Sequence, residues 1–180
     1  MYKNRHNGEI AFYYGSEELF NEVSLLSAFI VKNIVSESGS MLDQFGITGD
    51  ERDAYDVCVK QVMPSIYEEM MKVTSFYMES PAFVPSDEVK SKEDDELGRE
   101  IATYIVFNIS DNGSHNTNVL PLVDDTLNNC LKYGILAEYY SVNLNAELLA
   151  FAREKFANNL AQLRQRLFQL KRKPVSSQFV

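Results

Sequence analysis

Asn145 to Pro174 reads NAELLAFAREKFANNLAQLRQRLFQLKRKP. Leu149, Ala152, Phe156, Leu160, Leu163, Leu167 and Leu170 recur every three or four residues along it. That spacing lines one side of a long helix with apolar groups. Asn145 can cap its start, because its side-chain oxygen can accept a bond from a free N–H of the first turn. Pro174 stops it, having no N–H and clashing with the preceding turn. Between the last core leucine and the proline stands Lys171-Arg172-Lys173. The spacing predicts a helical bundle with a charged, asymmetric exterior.

The chain has 180 residues, of which 45% are hydrophobic, enough for one domain with a real core. No apolar run approaches the roughly 18–20 residues that cross a bilayer. The opening MYKNRHNGEI has a basic flavour without an apolar stretch after it, so no signal peptide is read. Cys58 and Cys130 fall on predicted apolar helix faces, where a thiol behaves as a small hydrophobe. Two buried thiols fit a reducing cytoplasm, with a disulfide between them as the alternative. The net charge of −9 is unevenly placed. Residues 146–180 carry seven Lys or Arg and two Glu; residues 1–145 carry ten basic and twenty-four acidic residues. An acidic body repels phosphate and argues against wrapping nucleic acid. The basic end can meet DNA, an acidic partner or the acidic part of a neighbouring copy.

Other elements follow from the same periodicity. Residues 1–15 carry Tyr2, Phe12, Tyr13 and Tyr14 without a helical period and read as an arm, extended or packed on the domain. Ser16 offers an N-cap, with Glu17 and Glu18 in the first turn where the helix dipole favours acids. Leu19, Val23, Leu26, Ile30 and Ile34 then predict helix 1 over 17–35. After a short apolar connector with Leu42, Phe45 and Ile47, either Asp50 or Thr48 caps helix 2. Its stripe is Tyr55, Cys58, Val59, Val62, Ile66, Met70 and Val73. Pro64 interrupts it and predicts a kink, favoured over a break because the apolar register continues through the proline. Residues 101–110 alternate with period 2 and read as a strand. The segment before them, with Phe83 and Val84, pairs with it as a β-hairpin whose tip is an acidic loop. Helix 3 follows, with Pro121 in its first turn and a stripe from Leu120 to Tyr139. A link of four residues then forces an antiparallel turn into helix 4.

The expected fold is therefore mainly α: a four-helix bundle with a β-hairpin inserted between helices 2 and 3 and extended terminal arms. One domain spans 1–180, divided into an arm (1–15), helices 1 and 2 (16–78), the hairpin (79–110), helices 3 and 4 (116–173) and a tail (174–180).

Chemistry-bearing constellations are weak. His115 shares one polar turn with Asp111 and Ser114, without the scaffold a catalytic triad requires. His6 has no partner in the arm. Neither histidine has a Glu three residues before it, so a di-metal carboxylate bundle is not read. Asp124-Asp125, Glu68-Glu69 and Glu138 read as solvated helix faces. Glu93, Asp94, Asp95 and Glu96 form an acidic loop lacking the glycine and alternating ligands of an EF-hand. No catalytic residues, cofactor or metal are assigned. Tyr13, Tyr14, Tyr133, Tyr139 and Tyr140 read as packing, or more sharply as an inter-subunit contact. Beyond Pro174, the β-prone tail with Val175, Phe179 and Val180 can add a strand to a partner's sheet.

The order of parts resembles a family. A polar arm, a helix, an apolar connector, a helix opening with DERDAYD, a hairpin and two long helices are followed by a short extended tail. The ending, KYGILAEYYSVNLNAELLAFAREKFANNLAQLRQRLFQLKRKP, is similar to that of head-to-tail connector (neck or adaptor) proteins of tailed bacteriophages of gut bacteria. The resemblance covers roughly residues 16–174. It implies a structural virion protein without enzymatic activity, made in the host cytoplasm. It implies a homo-oligomeric ring, commonly a dodecamer, between portal and tail, through which the genome passes without sequence-specific binding. The hairpin, with Phe83 and Val84, would meet neighbouring ring components. Lys171, Arg172, Lys173 and the tail would engage the portal protein or another neck or tail protein. Glu93 to Glu96 would face the lumen or solvent, and no membrane is involved. The alternative function is a cytoplasmic scaffold or regulatory bundle that binds a protein through its helix 3–helix 4 face.

Overall fold

The computed structural model describes residues 2–4, 9–34, 46–73, 77–78, 82–85, 103–110 and 116–171. In chain order these form β1 (Tyr2–Asn4), β2 (Glu9–Gly15), α1 (Ser16–Ile34), α2 (Arg52–Met71), β3 (Tyr77–Met78), β4 (Ala82–Pro85), β5 (Thr103–Ser110), α3 (Leu120–Val142) and α4 (Ala146–Lys171). Short 3-10 turns at Gly49–Glu51 and Thr117–Val119 lead into α2 and α3. The four helices and the strand pairing between the second and third are those that the periodicity predicts. None of the described helices is long and apolar enough to cross a membrane.

The helix ends carry the expected chemistry. Asn145 Oδ1 accepts the Leu148 N–H at 3.0 Å, which caps α4. Thr48 N–H donates to Glu51 Oε2 at 3.0 Å and Glu51 N–H returns to Thr48 O at 3.1 Å, so Thr48 rather than Asp50 opens the approach to α2. Pro121 stands in the first turn of α3. α2 runs as one helix through Pro64, which lies on its exposed side, so the lost backbone bond borders solvent.

α3 is the central helix. Twelve of its residues are buried, from Leu120 to Tyr140, and α2 and α4 pack along it. Gly134 permits a close approach: a Cβ there would stand 2.5 Å from Val62 Cγ1 on α2 and 3.0 Å from the Phe156 ring on α4. At the far end, Asn116 N–H donates to Leu170 O at 2.8 Å, tying the entry of α3 to the exit of α4. The stripe on α4 buries Leu148, Ala152, Leu163, Leu167 and Leu170, with Leu149, Phe156 and Leu160 half-buried against the core.

Of the residues expected as an arm, extended or packed on the domain, Tyr2–Asn4 and Glu9–Gly15 are both: they are strands of its sheet. β2 pairs antiparallel with β5 along its whole length, from Glu9 opposite Ser110 to Gly15 opposite Tyr104. β1 extends the sheet beyond β2, and β3 and β4 share the other edge of β5. Ile10, Phe12 and Tyr14 join the main core with Ile105, Phe107 and Ile109. Ala11, Tyr13 and Val106 are buried on the opposite face. The hairpin is thus one edge of a five-stranded sheet, and β2 is an interior strand.

Candidate functional site

Many of the residues singled out from the sequence lie outside the described residues. These are Arg172, Lys173, Val175, Phe179, Val180, Glu93, Asp94, Asp95, Glu96, His6, Asp111, Ser114 and His115. Lys171 is the exposed last residue of α4. Phe83 and Val84 lie in β4, opposite Ile105 and Tyr104 of β5.

The acidic pairs divide. Glu68 and Asp125 are exposed, as solvated faces should be. Glu69 is buried, contrary to that reading. Its carboxylate receives Lys72 Nζ at 2.6 Å and pairs with Arg164 of α4. Burial alone would raise its pKa, but the hydrogen bonds from Lys72 and Arg164 hold it below the ordinary carboxylate value. Glu69 is therefore an ionic tie between α2 and α4.

A small acidic cleft opens where β2, α1 and α3 meet, with Glu18, Glu22, Asp124, Asp125 and Asn128 around it. Its side chains engage one another. Tyr14 OH donates to Asp124 Oδ1 at 2.8 Å, and burial together with the Asp124 charge keeps the phenol far above its usual pKa. Glu22 accepts from Asn128 Nδ2 at 3.1 Å and pairs with Lys132 Nζ at 3.2 Å. This geometry braces three elements. Among the described residues, no three His, Cys, Asp or Glu side chains come together to hold a metal.

A second brace holds Ile47, ahead of α2, against α1. Ser24 Oγ donates to Ile47 O at 2.6 Å, while buried Ser27 Oγ accepts the Ile47 N–H at 3.0 Å. Tyr139 OH donates to Glu51 Oε1 from α3. Near the start of α2, the Arg52 guanidinium covers the Phe20 ring at 4.5 Å and pairs with Glu17 at 2.9 Å. The tyrosines divide toward packing: Tyr13, Tyr14, Tyr139 and Tyr140 are buried, and Tyr133 meets Phe151 edge-on at 6.4 Å.

Large apolar side chains that the sequence reading did not isolate stand in solvent. Leu25 and Phe29, one turn apart on α1, are 74% and 66% exposed. Val142 and Leu144, at the α3–α4 turn, are 72% and 88% exposed. Phe168, near the end of α4, is 45% exposed in a shallow surface concavity with Ala161, Arg164, Gln165 and Gln169. Leu25, Phe29, Val142 and Phe168 fall off the buried stripe of their helices, and that offset is the sequence signal for them; Leu144 lies in the turn between two helices. The described surface offers brackets and exposed apolar pairs as its functional candidates.

No protein-family model, curated protein or solved structure matches this chain.

Proposed function

We propose that this chain is a structural subunit of an oligomeric ring in the neck of a tailed-bacteriophage virion, between portal and tail. In this reading it has no enzymatic activity, and the genome passes through the lumen without sequence-specific contacts. The observation that carries the proposal is the set of apolar side chains exposed in pairs on a rigid bundle, Leu25 with Phe29 and Val142 with Leu144. Scattered single hydrophobics are ordinary on a surface, whereas pairs, one along α1 and one at the α3–α4 turn, suit burial by neighbouring subunits. The charge division supports the same reading. An acidic body lets DNA slide past, and the basic end of α4 suits an acidic neighbour. Resemblance to the connector family supplies the place of the ring in the virion.

The test is the composition of particles. The chain should be found in purified virions at a stoichiometry matching the portal, and an antibody against it should label the neck in electron micrographs. Absence from intact particles in cells that express it would remove the proposal in favour of an intracellular scaffold.

A further inference from the structure

The α3–α4 turn holds an unfavourable arrangement for an isolated subunit. Leu144 has a φ of 54°, in the left-handed region. For a leucine that conformation crowds Cβ against the following carbonyl, and glycine or asparagine would fill it with less strain. Its side chain is also almost fully in water beside exposed Val142. Asn143 and Asn145 flank it, so the chain places its apolar residue at the position where its polar neighbours would be tolerated better.

A matching surface lies at the other end of α4. Phe168 and Ala161, with the stems of Arg164, Gln165 and Gln169, line an open concavity that is mostly apolar. Charge separates the two ends. Between residues 133 and 152 the charged residues are Glu138 and Glu147, both acidic. Between 160 and 171 they are Arg164, Arg166 and Lys171, all basic; Arg164 is held by Glu69 of α2, so the complementary charge comes from Arg166 and Lys171. α4 rises about 1.5 Å per residue, so the knob and the concavity stand roughly 30 Å apart on one copy. They cannot meet within a subunit.

We propose that Val142 and Leu144 of one copy seat against the Phe168 concavity of the next, a head-to-tail contact between two copies of this chain. The proposal rests on the self-associating subunit described above and gives that association a direction. A contact between two different surfaces leaves one of each free after every addition, so it closes as a ring or grows as a filament. Two side chains fill little of the roughly 1,600 Å² typical of a stable interface. They are the anchor of the contact, and pairwise association is accordingly weak and concentration-dependent.

Sedimentation velocity on the full chain over a concentration series tests it. The wild type should associate. Leu144→Asn keeps the left-handed turn and removes the knob, and Phe168→Glu spoils the concavity. Each should weaken association about tenfold or more, as loss of a central apolar anchor does, without lowering the thermal midpoint. Each variant retains the surface that the other lacks, so an equal mixture should form a mixed dimer that grows no further. Glu147→Lys should weaken the contact, and Lys171→Glu mixed with it should restore it. Association of Leu144→Asn at the wild-type level overturns the contact and leaves the virion reading standing. A wild type that stays monomeric until another neck protein is added also overturns it, since a different protein then covers this surface. Absence from particles, by contrast, bears on the virion reading alone.

Discussion

Glu69 shows how a single side chain binds two helices. Its carboxylate is buried while Lys72 and Arg164 reach it from partly exposed positions. Its pKa is lowered in the fold, so its contribution to stability is present above the unfolded value, near 4.3, and is lost as pH falls through the folded value. Glu69→Gln should cost about 1–2 kcal/mol at neutral pH, with solvent screening of the two cations keeping the effect modest. The deficit should shrink in acid as the wild-type carboxylate protonates, which urea melts at pH 7 and pH 3.5 would measure. An equal deficit at both values would show that shape, not charge, holds the pair. Gly134 contributes through what it lacks. Alanine there would gain about 1 kcal/mol of helix propensity and meet Val62 Cγ1 at 2.5 Å. Overpacking costs about 1–3 kcal/mol, so Gly134→Ala should be net destabilising. Combining it with Val62→Ala should recover part of the loss in a double-mutant cycle, because the clashing methyl is gone.

β2 is the element on which sequence and structure diverge most usefully. Ile10, Phe12 and Tyr14 face one core and Ala11 and Tyr13 face another buried surface. A strand buried on both faces loses the apolar–polar alternation that announces a strand, so Phe12-Tyr13-Tyr14 reads as a featureless aromatic run. β5 kept enough alternation and β-branching to be legible, and the helices were legible from their stripes and caps. Asn145 was visible as a cap because its chemistry is local. Glu69 was not distinguishable from Glu68, since its partner Arg164 is distant in sequence. The exposed leucine at the α3–α4 turn was hidden for a different reason: a positive φ leaves no mark in composition or period. Most of the residues proposed to touch partners lie beyond the described elements, so their roles rest on resemblance. The strand reading has a direct consequence. Deleting residues 1–15 removes β2, which pairs with β5 from Tyr104 to Ser110 and buries Ile10, Phe12 and Tyr14 in the main core. The truncated chain should lose its cooperative thermal transition, followed by circular dichroism. A soluble fragment melting cooperatively near the wild-type midpoint would mean that the segment is an appendage after all.

One continuous core joins the sheet to all four helices, running from Ile10 and Phe107 to Leu163 and Leu170. That continuity predicts that the molecule opens as a unit, and its two thiols can report it. Cys58 on α2 and Cys130 on α3 are both free and buried. Burial, with the nearby Glu138 charge, pushes the Cys58 thiol up to about 11, and burial with the Glu69 charge raises Cys130 further still. Only the thiolate attacks a disulfide reagent, so at pH 8 Cys58 presents roughly a hundredfold fewer reactive groups than a thiol of ordinary pKa, besides being inaccessible. Both should stay unlabelled in native buffer and react at the same rate as denaturant is added, the rate tracking global unfolding. Mass spectrometry of peptides from timed labelling would separate the two sites. If Cys58 reacts first while Cys130 remains protected, α2 detaches before the α3–α4 pair and the Glu69–Arg164 tie is the point of release. If their curves coincide, the ionic tie and the Gly134 contact between α2, α3 and α4 belong to one cooperative unit.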